Sequence, residues 1–238
     1  MTIADTSTDT STDTPTDISG STASGTAAPT PPARRQPRRA RWLRRSALVA
    51  ATVVALAVVG WFGVGLIQPH PYSGTVLQAP TAAPSLDGLV DSEGAPVDLG
   101  AFRGDLVLVY FGYTHCPDVC PTTLSQVDRA LDRLGDDAAR VEVLLISVDP
   151  ARDDPVLLGE YARSFDPSFI GATGPIDDVE RIASTYGVYF AAQDAGDDDY
   201  DVDHSATLMG IDPDGHLRIV WPALLDVDAL AADIRELL

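Results

Sequence analysis

Apolar positions divide this chain into three regimes. Residues 1–33 are Thr, Ser, Asp, Gly, Pro and Ala with almost no apolar bulk; Ala47 to Ile67 carries no charge over 21 residues; from residue 85 onward, short apolar runs alternate with amphipathic stretches. In the third regime, Leu106-Val-Leu-Val-Tyr-Phe and Val141-Glu-Val-Leu-Leu-Ile-Ser-Val read as strands buried on both faces. Between them Leu124, Val127, Leu131 and Leu134 recur at helical spacing, and Gly135 marks the stop. A second helix opens with Asp154 as cap and Pro155 at its first position, burying Leu158, Tyr161, Ala162 and Phe165. A third opens at Pro175 and carries Ile176, Val179, Ile182 and Tyr186. Ala206 to Ile211 and Leu217 to Trp221 flank the turn Asp212-Pro-Asp-Gly215 as a hairpin, and Asp226 caps a last helix with Leu230, Ile234 and Leu237 inward.

This succession predicts an α/β fold of thioredoxin-like order, preceded by a single N-terminal transmembrane helix. The uncharged run has the length that spans ~30 Å of hydrocarbon. Trp42 and Trp61 lie near its ends, and Arg34, Arg35, Arg38, Arg39, Arg41, Arg44 and Arg45 precede it. Such asymmetry orients a helix with its N-terminus in the cytoplasm. The rival, a cleaved signal peptide, has an apolar region of ~7–15 residues and a small-residue cleavage site close behind. The predicted organisation is therefore a disordered cytoplasmic tail with an arginine cluster (1–46), an anchor (47–67), a Pro/Ala-rich stalk (68–84) and one folded domain (85–238). This places the protein in the plasma membrane, single-pass, with its C-terminal domain outside the cytoplasm.

Charge narrows the partners. Four of the 35 acidic and seven of the 16 basic residues precede the end of the apolar span, which leaves 31 against nine and a net charge of −22 beyond it. Such a surface repels nucleic acid, and that class of partner is excluded.

Only two cysteines occur, Cys116 and Cys120, in Tyr-Thr-His-Cys-Pro-Asp-Val-Cys-Pro directly after the strand at Leu106 to Gly112. A structural disulfide there would close too small a loop to remove much unfolded-state entropy. Pro121 lacks an N–H and disfavours helical geometry at Cys120, so the helix is expected to begin at Pro121 with both sulfurs in a tight loop at its N-terminus. The positive end of the helix favours thiolates, which suits soft-metal binding and disulfide exchange equally. The four histidines are more equivocal. His70 falls in the expected stalk and His216 beside the hairpin turn. His115 adjoins Cys116 but is expected to point the opposite way, and His204 lies between the acidic stretch Asp197 to Asp203 and a buried strand.

Three blocks in order, Leu99 through Tyr-Thr-His-Cys-Pro-Asp-Val-Cys-Pro121, Ser147-Val-Asp-Pro-Ala-Arg-Asp, and Val202-Asp-His-Ser followed by Ile211-Asp-Pro-Asp-Gly, resemble the Sco/SenC copper chaperones over roughly Ser85 to Leu238. The resemblance implies a thioredoxin fold in which Cys116, Cys120 and His204 bind one copper ion, Cu(I) or Cu(II). It implies a metallochaperone that assists assembly of the binuclear copper centre of cytochrome c oxidase, with the copper-site subunit of a respiratory oxidase as partner. It also admits a thiol-disulfide reductase whose redox-active pair is Cys116 and Cys120. A peroxiredoxin-like peroxidase shares the fold, but Thr114 stands only two residues before Cys116 and that family's spacing is absent. Lesser candidates remain. Met209 reads as core, Asp118 and Asp203 as orienting or solvated groups, Asp149 and Arg152 as a pair fixing a loop, and the stretch Asp197 to Asp203 within the acidic loop 194–203 as solvated, since that stretch lacks the glycine and final glutamate of a calcium loop.

Overall fold

A computed structural model describes residues 38–65, 70–193 and 200–238. The expectations for the N-terminal tail before residue 38, for residues 66–69 and for most of the acidic loop lie outside the described residues. The chain divides into two units, Met1–Ile67 and Gln68–Leu238.

In the first unit, α1 (Arg38–Gly65) starts well before the uncharged run and takes in arginines of the preceding cluster. Its segment Trp42–Trp61 is 20 residues long and apolar enough to cross a membrane by length and composition. At 1.5 Å of rise per residue it reaches about 30 Å.

The second unit is a mixed α/β fold. Its main sheet has the order β1-β8-β7-β2-β3-β4, with β1 at Thr75–Ala82, β2 at Leu106–Gly112, β3 at Val141–Ser147, β4 at Ile170–Ala172, β7 at Leu208–Ile211 and β8 at His216–Trp221. β2, β3 and β4 are parallel neighbours, and β7, β8 and β1 are added antiparallel. Parallel pairs need crossover connections. Here α2 (Val119–Leu134) joins β2 to β3, and α3 (Pro155–Arg163) joins β3 to β4. α4 (Ile176–Thr185) and α5 (Val227–Leu237) follow, and α5 packs against α2. All seven residues of β2 are buried, as a central strand covered on both faces requires. Phe111 meets the Tyr186 ring at the end of α4, whereas Gly112 faces Cys120 on α2. A separate two-stranded ribbon, β5 (Phe190–Ala192) with β6 (Val202–His204), stands outside the main sheet.

The predicted caps are present: Asp154 accepts from the backbone N–H groups of Val156 and Leu157, and Asp226 from that of Ala229. The hairpin turn closes by a 2.7 Å bond from Gly215 N to Asp212 O, with Gly215 at φ +76°, a conformation that glycine adopts without steric cost.

One expectation is corrected. Residues 75–82, read as part of a stalk, form the edge strand of the sheet, registered as Thr75↔Val220 and Ala82↔His216 with an irregularity between Val76 and Thr81. Pro80 obscured this strand. Proline donates no ladder hydrogen bond and is tolerated at an edge or a bulge, which is where it sits.

His70, also assigned to the stalk, is fastened to the domain. Its Nε2 lies 2.7 Å from Asp233 Oδ1, while Asp233 Oδ2 accepts from Ser73 N (2.9 Å), Ser73 Oγ (2.5 Å) and Trp221 Nε1 (2.8 Å). Asp233 is 1% exposed. Burial alone would raise its pKa, but the Ser73, Trp221 and His70 hydrogen bonds outweigh burial and hold the carboxyl below its usual value. A depressed folded-state pKa contributes stability above the unfolded pKa of about 3.9, and the contribution disappears as pH falls through the folded value. Asp233→Ala should therefore lower stability at pH 7 by about 2–4 kcal/mol, since it strands the buried Trp221 N–H. Urea unfolding of residues 68–238 checks this, and the difference from wild type should shrink below about pH 4. An equal difference at pH 3 and pH 7 would contradict the assignment.

Candidate metal centre

The cysteine loop is built from the end of β2. Val148 N bonds Gly112 O (2.9 Å), which continues the pairing with β3 to the strand's last residue. Thr114 then turns onto a buried carboxylate: its Oγ1 donates to Asp153 Oδ1 (2.5 Å) and its N–H to Oδ2 (3.2 Å), while Ser147 Oγ donates to Oδ2 (2.6 Å). Burial raises the Asp153 pKa, and these donors counter the rise. Cys116 N closes on Tyr113 O at 3.3 Å.

The helix begins two residues earlier than the sequence suggests. α2 starts at Val119, with Asp118 at the cap position, so Cys120 and Pro121 both lie in its first turn. The first turn has no intrahelical use for a proline N–H, which removes the expected conflict. Cys120 N–H, one of the helix's unpaired donors, points at Cys116 Sγ (3.4 Å).

The two thiols are unequal. The Cys120 side chain hydrogen-bonded to it, acting against burial and helped by His204 and backbone N–H groups, lowers the Cys116 pKa to about 4. Cys120 moves the opposite way, because a thiolate neighbour and burial both disfavour a second charge. Cys116 is 8% exposed and Cys120 fully buried, and neither forms a disulfide. Gly112 makes room for the second sulfur. A Cβ there would lie 3.0 Å from Cys120 Sγ and 2.9 Å from the Tyr110 ring.

His204 arrives from the ribbon, opposite Phe190. Its Nε2 lies 3.4 Å from Cys120 Sγ, 84 residues away in sequence. The rings of Tyr113 and Tyr110 meet the imidazole edge-on, with centroids 5.8 and 6.2 Å away. Nδ1 is buried without a hydrogen-bond partner among the described residues. One ligand atom from each of Cys116, Cys120 and His204 falls within 4.8 Å of the others. A metal bound at about 2.3 Å to sulfur and about 2.0 Å to nitrogen holds such atoms roughly 3.5 Å apart, so the spacing suits one ion. Two sulfurs and one imidazole select a soft or borderline metal.

The other candidates are not brought to this point. His115 is exposed and pairs with Thr114 Oγ1 (2.9 Å), Met209 is buried in β7, and His216 faces Asp212 Oδ1 (3.4 Å). Asp118 and Asp203 are exposed, and Asp203 accepts from Gln193. Asp149 and Arg152 do pair. Tyr200 joins them, donating its hydroxyl to Asp149 Oδ1 (2.6 Å) under an Arg152 guanidinium 3.7 Å from its ring centre. Sequence reasoning missed Asp153, Tyr113 and Gly112. A glycine closing an otherwise bulky strand beside the motif was the one available signal.

Comparison with known proteins supplies the context. The SCO1/SenC family model matches residues 87–238. A Stutzerimonas stutzeri protein named for copper binding is 34% identical over 199 residues, 82% of this chain and 95% of that one. The solution structure of apo Sco1 from Thermus thermophilus superposes with a TM-score of 0.64 at 37% identity, covering 71% of this chain and 98% of the other. The structure of Bradyrhizobium japonicum ScoI with copper bound gives a TM-score of 0.60 at 36% identity, covering 66% of this chain and 99% of the other.

The asymmetry of the thiols has a direct readout. Because a lowered pKa keeps the thiolate above its value, iodoacetamide labelling of Cys116 in the reduced, metal-free protein should stay near its plateau from pH 8 to pH 6 and fall only toward about pH 4. Cys120 should label last. A labelling midpoint near the ordinary thiol value of about 8.5 would refute the assignment. Gly112→Ala should cost about 1–3 kcal/mol by overpacking, read as a lowered urea midpoint.

Proposed function

The chain belongs to the SCO1/SenC family, and on that premise we propose that it is a membrane-anchored copper-binding metallochaperone for the binuclear copper centre of cytochrome c oxidase. The observation that carries this reading is the convergence of Cys116, Cys120 and His204 within 4.8 Å. Copper is the cargo. The two thiolates suit copper(I), and the imidazole lets the same site accept copper(II). Three protein donors leave a position open to a ligand of the receiving subunit, so the ion passes by exchange of ligands without release to water. Cys116, the more accessible sulfur, is the donor such a ligand replaces first.

The anchor belongs to the same proposal. Trp42–Trp61 has the length and composition of a span, and Arg44 and Arg45 lie at its N-terminal end. By the positive-inside rule the cysteines then face outside the cytoplasm, in the plasma membrane.

A second reading rests on the unequal thiols. As a reductase, the Cys116 thiolate attacks a substrate disulfide, forming a mixed disulfide and releasing one substrate thiolate. Cys120 then loses its proton and attacks Cys116 Sγ. This forms the intramolecular disulfide and releases the second substrate thiolate, with two electrons passed to the substrate. His204 enters that cycle only as a lesser contributor to the Cys116 thiolate, behind Cys120, and forms no bond in it.

The purified, reduced protein should bind one copper per chain with two sulfurs and one nitrogen around it by X-ray absorption, and oxidation to the Cys116–Cys120 disulfide should abolish tight binding. A shell of oxygen and nitrogen alone would sink the proposal. His204→Ala separates the readings. Carrier function predicts that copper-limited cells with this variant lose oxidase activity and recover with added copper. The reductase predicts normal respiration, while Cys116→Ala cells fail. For topology, a reporter fused after Leu238 should be active only outside the cytoplasm, and the reverse result would overturn the orientation.

A further inference from the structure

His204 is carried by a ribbon that shares no ladder with the sheet leading to the cysteines. Some other contact must therefore fix its distance from them. Tyr113 touches both sides. Its carbonyl accepts the Cys116 N–H (3.3 Å), and its hydroxyl accepts the buried Val202 N–H (3.2 Å). Val202 is two residues before His204, on the same face of β6. The Tyr113 ring also meets the imidazole edge-on at 5.8 Å. A metal-bound histidine is ordinarily oriented by a hydrogen bond from its second nitrogen, but His204 Nδ1 has no such partner among the described residues.

From this juxtaposition we infer that Tyr113 is a positioning residue: its hydroxyl and ring set the reach of His204 to the cysteine pair, taking the place of a hydrogen bond donated by Nδ1. The inference rests on the copper-binding reading above. Tyr200 fastens the ribbon at a second point, through Asp149 and Arg152, but it bonds neither the cysteine loop nor the imidazole. It serves as a comparison.

Tyr113→Phe keeps the ring and removes only the acceptor. A buried hydrogen bond of ordinary net worth corresponds to roughly 3- to 10-fold in an equilibrium. In the full-length chain in mild detergent, Tyr113→Phe should weaken copper(II) binding roughly 3- to 10-fold and diminish the nitrogen couplings in the copper(II) pulsed EPR spectrum, while copper(I) affinity stays within about 2-fold. A purely structural role would lower copper(I) and copper(II) affinity together. Tyr200→Phe should leave the ratio of the two affinities closer to wild type than Tyr113→Phe does.

His204→Ala separates this inference from the reading beneath it. If His204→Ala keeps copper(II) affinity and nitrogen couplings, the three-ligand reading fails. If His204→Ala loses them while Tyr113→Phe retains both, the role of Tyr113 is overturned. Equal losses for copper(I) and copper(II) in Tyr113→Phe overturn it as well. Should that variant not fold, amide exchange in the wild-type chain decides: Val202 N–H should be protected, and exchange at the rate of an open amide contradicts the tie.

Discussion

A buried aspartate holds the site's architecture together. Asp153 lies on the loop after β3, yet its carboxylate takes the backbone and hydroxyl donors of Thr114 and the hydroxyl of Ser147. It clamps the turn leaving β2 to the neighbouring parallel strand at the point where the strand ladder ends. The cost of burying a carboxylate is offset only while all these donors are present, which makes the geometry of the turn close to single-valued. Two residues beyond Thr114, Cys116 inherits that fixed position.

From this clamp the electrostatics follow. A loop held so tightly against the start of α2 directs the free N–H of Cys120 at the Cys116 sulfur and leaves Cys120 itself behind it, against Gly112 and Tyr110. One thiol is ionised at the cost of the other. The dithiol thus carries a single negative charge at neutral pH, placed on the more accessible sulfur.

The parts of this arrangement were unevenly legible in the sequence. β2 and β3 showed as unbroken apolar runs, and α3 and α5 by their aspartate caps, because those signals are local. β4, β5 and β6 have three residues each, too short for any period to register. β1 was hidden by Pro80. Cys116 and Cys120 announced themselves by spacing, but His204, 84 residues from Cys120, could be joined to them only through resemblance to a family. Asp153 closes one of the resembling blocks but was given no role of its own, since an aspartate in a loop looks solvated until the fold surrounds it. Long-range convergence is a property of topology, and a single sequence carries it only implicitly.

The edge strand that proline concealed has a consequence for the molecule's behaviour among its neighbours. β1 bounds the sheet beside β8, and an open border is where one chain can stitch itself to another. Pro80 and the irregular register between Val76 and Thr81 break the row of donors that such stitching needs. The same feature that made this segment read as a linker therefore protects against intermolecular sheet growth, for a protein whose proposed anchoring would concentrate many copies on one surface.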